Sequence, residues 1–266
     1  MNIINIFWPS VLFICGTIVG SFLNVCIYRL PEELSILFPS SHCPNCKAKI
    51  KWYNNIPLLS YIILQGKCRN CEKPISPVYF IVELLTGILF LAAFLFSSGA
   101  AEVVFRIMFF SLLMIVSFID LKYFVIPDEC NIIGLVFALL FSSFFPHLQG
   151  EAKWYLGLYR SFLGAVTGFA ILSAVSLAGS KLLKKDAMGF GDVKLIAMIG
   201  SFGGVLVVFL SIAISSIVGT VIGGTALLIK SKTWKGKIPF GPYLAIGAVV
   251  SILWGNKLVD WYLGLF

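Results

Sequence analysis

The sequence predicts an all-α polytopic membrane protein of about eight transmembrane helices, with a small cytoplasmic zinc-binding domain between the first two. Three observations carry this expectation. Of 266 residues, 59% are hydrophobic and 12% charged, about half the charge of a soluble domain. Several apolar runs approach or exceed the ~18 residues that span a bilayer. Four cysteines are grouped in the longest polar stretch.

The first apolar run opens with "MNIINIFW", which has no basic residue ahead of it. A cleaved secretory signal has a basic start and a small-residue cleavage site, so this run is read as a retained anchor. The expected spans are residues 4–28, 78–96, 103–119, 130–145, 159–182, 193–210, 211–229 and 241–263. Loops 29–77, 120–129, 183–192 and 230–240 then share one side. With their helix ends they hold all but Arg106, Lys153, Arg160 and Lys257 of the 20 Lys and Arg residues. Lysine and arginine are retained on the cytoplasmic side. These loops are therefore expected to be cytoplasmic and both termini outside, in a bacterial inner membrane. The net charge of +8 is accounted for by this bias and calls for no nucleic-acid partner.

The loop 31–77 carries Cys43-Pro-Asn-Cys46 and Cys68-Arg-Asn-Cys71, with 21 residues between the pairs. Each CxxC turn presents two thiolates, and two such turns suit one tetrahedral Zn2+. Disulfides are disfavoured in a reducing cytoplasm. No βαβ pattern supports a redox pair. The loop is too short and too polar to fold well alone, and four protein ligands leave no open position. The zinc is thus read as structural. Cys15, Cys26 and Cys130 lie in or beside apolar spans and read as packing residues.

Four acids sit in or beside the spans, where an ionisable group is costly and marks a protein or water-filled interior. Asp128 follows Pro127 and precedes an apolar run, which suggests a helix N-cap. Asp192 also has a capping position available, but Gly189 and Gly191 beside it permit a sharp turn and a close approach. Glu83 fits either a bond to a neighbouring helix or an accessory role in function. Asp120 ends a span, where the helix dipole opposes it; no folding role explains it. If Asp120 and Asp192 face each other they share a proton. One then activates water while the other polarises a scissile carbonyl. The broken "IPFGPYL", with Pro239, Gly241 and Pro242, offers the irregular backbone to shape such a cavity.

These residues, in order, resemble the type IV prepilin peptidase family, the prepilin leader peptidases/N-methyltransferases. "GSFLNVCIYRLP", in the first segment 1–30, is similar to the family's opening motif. "CPNC", "IPLLSYIILQGKCRNC" and "PIS…VELLTG" resemble its cytoplasmic domain, here 31–77, and its second helix. "IDLKYFVIPD", "GFGD" and "PFGPYL", in the membrane domain 78–266, resemble its aspartate, GxGD and late proline motifs. The resemblance implies a catalytic pair at Asp120 and Asp192, as in GxGD intramembrane aspartyl proteases. It implies removal of a basic leader from prepilins or type II pseudopilins after a glycine, on the cytoplasmic side. It further implies methylation of the new N-terminus with S-adenosylmethionine as donor. The chain departs from the family at Val78 and Phe80, where an arginine and a proline are usual, close to Glu83. An ion-coupled transporter is a competing reading of the intramembrane acids, although no internal repeat supports it. A non-catalytic zinc adaptor is another, which leaves Asp120 and Asp192 without a role.

Overall fold

The computed structural model describes residues 4–184, 188–229 and 239–265. The helices are α1 (Ile4–Arg29), α2 (Leu59–Ile63), α3 (Pro77–Leu95), α4 (Ala100–Tyr123), α5 (Asp128–Phe144), α6 (Trp154–Leu183), α7 (Phe190–Ile229) and α8 (Gly241–Leu263). Among the described residues there is no named strand, only two isolated bridges in the cysteine loop. Lys185 and the loop lysines at 230, 232, 235 and 237 lie outside the described residues, so their expected side is not addressed by the fold.

Among the described residues, six helices are long and apolar enough to cross a membrane: α1, α3, α4, α6, α7 and α8. The expected eight differ at two places. Helix α5 has 17 residues, about 26 Å at 1.5 Å per residue, which is short for a span. The stretch expected as two spans meeting at Leu210 and Ser211 is α7, two helices running on from each other across a break that falls earlier, at Gly204 (φ 70°, ψ −170°). Hydropathy is continuous through Gly204, so only the backbone reveals the break. An L side chain is strongly disfavoured at such a φ.

The chain divides into two compact units, residues 1–115 and 116–266. In the first, α1 and α3 pack through small residues. A Cβ at Gly16 would lie 2.8 Å from the Gly87 Cα, and one at Gly20 would lie 2.8 Å from the Glu83 Cα. One turn further along α1, Asn24 donates to the Tyr79 carbonyl at 3.0 Å. Residues 16, 20 and 24 therefore form one i, i+4, i+8 stripe, the spacing that lets membrane helices approach closely. Ser76 and Pro77 start α3: the Ser76 hydroxyl accepts the Val78 N–H, and Pro77 takes the first helical position, where its missing N–H costs nothing.

The second unit is built around α7. A Cβ on Gly164 of α6 would stand 2.1 Å from the Gly200 carbonyl oxygen, and one on Gly247 of α8 would stand 2.5 Å from that of Ser211. Both neighbours thus pack backbone against backbone. The break at Gly204 frees carbonyls in the turn before it, and these are costly unless bonded where water is excluded. Buried Gln149 answers them, its amide donating to the carbonyls of Ser201 and Phe202 at 3.2 Å each and to the Ser142 hydroxyl at 3.1 Å. The Ser161 hydroxyl also donates to the Ser201 carbonyl, at 2.7 Å. Substituting Gln149→Leu leaves acceptors unpaired and is expected to cost about 1–3 kcal/mol. A lowered thermal midpoint in detergent checks this; an unchanged midpoint removes the capping role.

Candidate active site and metal centre

Asp120 lies three residues from the end of α4 and is buried, next to fully buried Ile119. Its carboxylate Oδ2 accepts the Gly241 backbone N–H at 2.9 Å. That N–H belongs to the first residue of α8, where Phe240 is the N-cap and Pro242 follows. The sequence left Asp120 opposing the dipole of its own helix. The fold answers with the positive end of another. The approach is close: a Cβ at Gly241 would fall 2.8 Å from the same Oδ2. Here the backbone of the "PFGP" motif shapes the site, with Pro239 half-buried beside it and Pro242 buried.

Asp192 is buried in the first turn of α7. Its backbone N–H donates to the Gly189 carbonyl at 3.1 Å, and its carboxylate accepts from the Gly189 N–H. The second contact is the return half of a capping box. Asp192 therefore does cap α7, from the third helical position. A Cβ on Gly189 would be 3.3 Å from Asp192 Oδ2, and one on Gly191 would be 2.9 Å from the Ile126 Cβ. The two glycines thus serve different neighbours: the acid itself, and the segment between α4 and α5. Asp120 and Asp192 lie within electrostatic reach of each other.

Asp128 corrects the sequence reading. Pro127 holds the N-cap position of α5, with no side-chain cap bond. Asp128 instead pairs with Lys194 of α7 at 2.6 Å. Lys194 is two residues past Asp192, and its ammonium also lies 5.0 Å from the centre of the Phe190 ring. No sequence signal marked this pair, because 66 residues separate its members. Buried Asn131, one turn further along α5, has neither side-chain polar atom bonded. It too was absent from the sequence reading.

Glu83 lies in the first unit. It is buried, and its Oε2 accepts the Leu58 N–H at 2.8 Å. The Ser21 hydroxyl is a second partner. Glu83 therefore ties the start of α2 to α3 and α1, where a bond to one neighbouring helix was anticipated.

The four loop cysteines converge, with all Sγ atoms within 4.8 Å of one another. Two knuckles of the same form achieve this. The Cys43 N–H donates to the Ala48 carbonyl and the Lys47 N–H to that of Cys43. In the second, Cys68 donates to Lys73 and Glu72 to Cys68. Lys47 and Glu72, each next after its CxxC, take positive φ of 58° and 56°. The Ala48 backbone N–H lowers the Cys46 thiol pKa. The N–H groups of Asn70 and Cys71 bring Cys68 down to about 6. At Cys71 the Lys73 N–H acts in the same direction, but burial and the neighbouring thiols prevail and push it up to about 11. A cluster of four thiols favouring shared negative charge fits a tetrahedral Zn2+ better than any hard cation.

Residues 14–97 match the bacterial peptidase A24 N-terminal domain, and residues 107–224 match the type IV leader peptidase family. The chain is 33% identical to a prepilin leader peptidase/N-methyltransferase of Aeromonas hydrophila, over 97% of this chain and 94% of the relative. A Bacillus subtilis protein of the same name is 33% identical over 96% and 97% of the two chains. One from Xanthomonas campestris is 36% identical over 93% and 92%. No solved structure shows a significant match. Since similarity at this level runs through both units and nearly the full length of each relative, the chain belongs to the type IV leader peptidase family, the prepilin leader peptidases/N-methyltransferases.

Proposed function

We propose that this protein removes the basic leader of type IV prepilins or pseudopilins at the cytoplasmic face of the inner membrane, and N-methylates the new N-terminus from S-adenosylmethionine. Asp120 and Asp192 are the catalytic pair. The observation that carries this reading is the placing of two buried carboxylates at two helix ends, in electrostatic reach, inside the segment that matches the leader peptidases. Asp128, in its pair with Lys194, and Glu83 have accessory roles at most.

Two close carboxylates in a poorly solvated site hold one proton between them. The ionised member takes a proton from water, and the resulting hydroxide adds to the carbonyl carbon of the leader's last glycine. The protonated member bonds the developing oxyanion, and a proton then passes to the leaving amine as the C–N bond breaks. The Gly241 N–H keeps Asp120 oriented, while the Gly189 N–H does the same for Asp192. A Zn2+ held by Cys43, Cys46, Cys68 and Cys71 supplies structural rigidity to the loop, and no step of the cleavage passes through it.

Asp120→Asn and Asp192→Asn keep shape and most hydrogen bonds but cannot accept water's proton. Each is expected to lower leader cleavage by about 10²–10⁴-fold, and the double variant to be no worse than either single one. The parent's pH–rate profile should show two apparent pKa values that belong to the pair. Asp128→Asn breaks a half-exposed ion pair, which costs about 0–1 kcal/mol of stability and little cleavage. Cleavage near the parent rate by either Asp120→Asn or Asp192→Asn refutes the dyad. A dead Asp128→Asn beside an active Asp120→Asn moves the dyad to Asp128 and Asp192.

Elemental analysis should find about one zinc per chain. Cys43→Ser should lose most of it, lower the thermal midpoint and weaken methylation more than cleavage. Full zinc occupancy in that variant removes the four-cysteine site. The orientation has its own check. A membrane-impermeant thiol reagent applied from outside should label Lys153→Cys and spare Lys49→Cys; the reverse pattern inverts the topology.

A further inference from the structure

Between Lys51 and Lys67 no residue is charged, and 56–64, "IPLLSYIIL", is almost wholly apolar. A run this short cannot cross a bilayer; such runs serve as buried core or as re-entrant segments. Three contacts fix its place against α3. The Leu58 N–H donates to Glu83 Oε2 at 2.8 Å. The Tyr61 and Phe80 rings lie 5.4 Å apart. The Ile75 N–H donates to the Gly66 carbonyl at 2.6 Å. Each step forward from Leu58 through Tyr61 to Gly66 is matched by a step back from Glu83 through Phe80 to Ile75. The segment that holds α2 therefore runs antiparallel alongside the first turns of α3.

That register sets its depth. Helix α3 has 19 residues, about 28 Å at 1.5 Å per residue, and a hydrocarbon core is about 30 Å thick. The whole helix is needed to span, so Pro77 lies at the membrane surface. Glu83, six residues further on, lies about 9 Å below it, and Leu58 is bonded there. Helix α1 agrees: a Cβ on Gly20 would stand 2.8 Å from the Glu83 Cα, and Gly20 is about 13 Å short of the end of α1 at Arg29. Helix α2 thus starts below the headgroups, and the chain regains the surface at Gly66. There Gln65 and Gly66, with φ of 51° and 66°, turn it away.

The two faces of α2 differ. Ser60, Tyr61 and Leu64 line a cavity shared with α1 and α3. Leu59, Ile62 and Ile63 take no part in that lining. Their i, i+3, i+4 spacing makes them one face, and they are 57%, 61% and 76% exposed. Backbone in hydrocarbon must satisfy its own polar groups, and this segment does. The N–H groups of Leu59, Ser60, Ile62, Leu64, Gln65 and Gly66 all donate to carbonyls between Ile56 and Ile62. The Ile56 N–H donates to the Ser60 hydroxyl at 2.9 Å, and Pro57 has no N–H to satisfy.

We infer that α2 is a re-entrant membrane element, and that lipid acyl chains cover its face of Leu59, Ile62 and Ile63. Lys51 and Lys67, at the two ends of the uncharged run, mark where it enters and leaves the headgroup layer. The second cysteine knuckle begins at Cys68, two residues past Gly66, and is thereby held at the membrane surface. The inference needs only that α3 spans the bilayer and is independent of the aspartate chemistry.

The test places the photoreactive residue benzoylphenylalanine at Ile63, and separately at Ile62, in the full chain reconstituted into phosphatidylethanolamine–phosphatidylglycerol vesicles. After irradiation, mass spectrometry should find adducts to acyl chains at both positions, and none when the same residue replaces exposed Lys49. Leu59 supplies a third position should either substitution lower the thermal midpoint. Adducts to headgroups alone overturn the inference, as do crosslinks to a second copy or to another part of this chain. Lipid labelling no greater than at Lys49 overturns it too.

Discussion

The hydrogen bond from the Gly241 N–H to Asp120 is the constraint on which the second unit is organised. A carboxylate at the C-terminal end of a membrane helix is unfavourable twice over, by desolvation and by the dipole of its own helix. The N-terminus of α8 relieves both. For that end to reach Asp120, residue 241 can carry no side chain, since a Cβ would stand 2.8 Å from the carboxylate oxygen. The same need brings α8 along α7, where Gly247 allows contact with the Ser211 backbone. The late proline-glycine motif is thus the partner of the first aspartate.

Glycine acts in two distinct ways in this chain. At Gly16, Gly20, Gly164 and Gly247 it removes bulk so that helices meet at backbone distance, which in a bilayer replaces the missing hydrophobic drive. At Gly204 it supplies a left-handed backbone that interrupts α7. That interruption is stable because Gln149 and Ser161 bond the carbonyls it frees. The segment of α7 carrying Asp192 is thereby held as a short, braced piece instead of one end of a long flexible rod. Lys194 adds a tie to α5 through Asp128.

The first unit follows another logic. Its cysteine loop has little apolar core and is organised by two knuckles of one design, each closed by a residue of positive φ directly after the CxxC. Glu83 fastens the loop to the helices through Leu58 and Ser21.

The sequence by itself determined the membrane class, the cysteine cluster and the two acids that carry the proposed chemistry. Each is written in local signals: apolar run length, CxxC spacing, and an acid where folding gives no reason for one. Those signals survive without tertiary knowledge because a bilayer and a four-thiol cluster impose their requirements on short stretches. The position of the α7 break, the partner of Asp120, the Asp128–Lys194 pair and the role of Gln149 were decided only in three dimensions. Gly204 sits in unbroken hydropathy, so no composition window registers it. Asp128 looked like a cap because Pro-Asp before an apolar run usually is one; a lysine 66 residues away claimed its carboxylate instead. Partners that distant in the chain are chosen by helix packing, and helix packing between apolar surfaces is set by where side chains are absent, which a pattern of polar and apolar residues does not record.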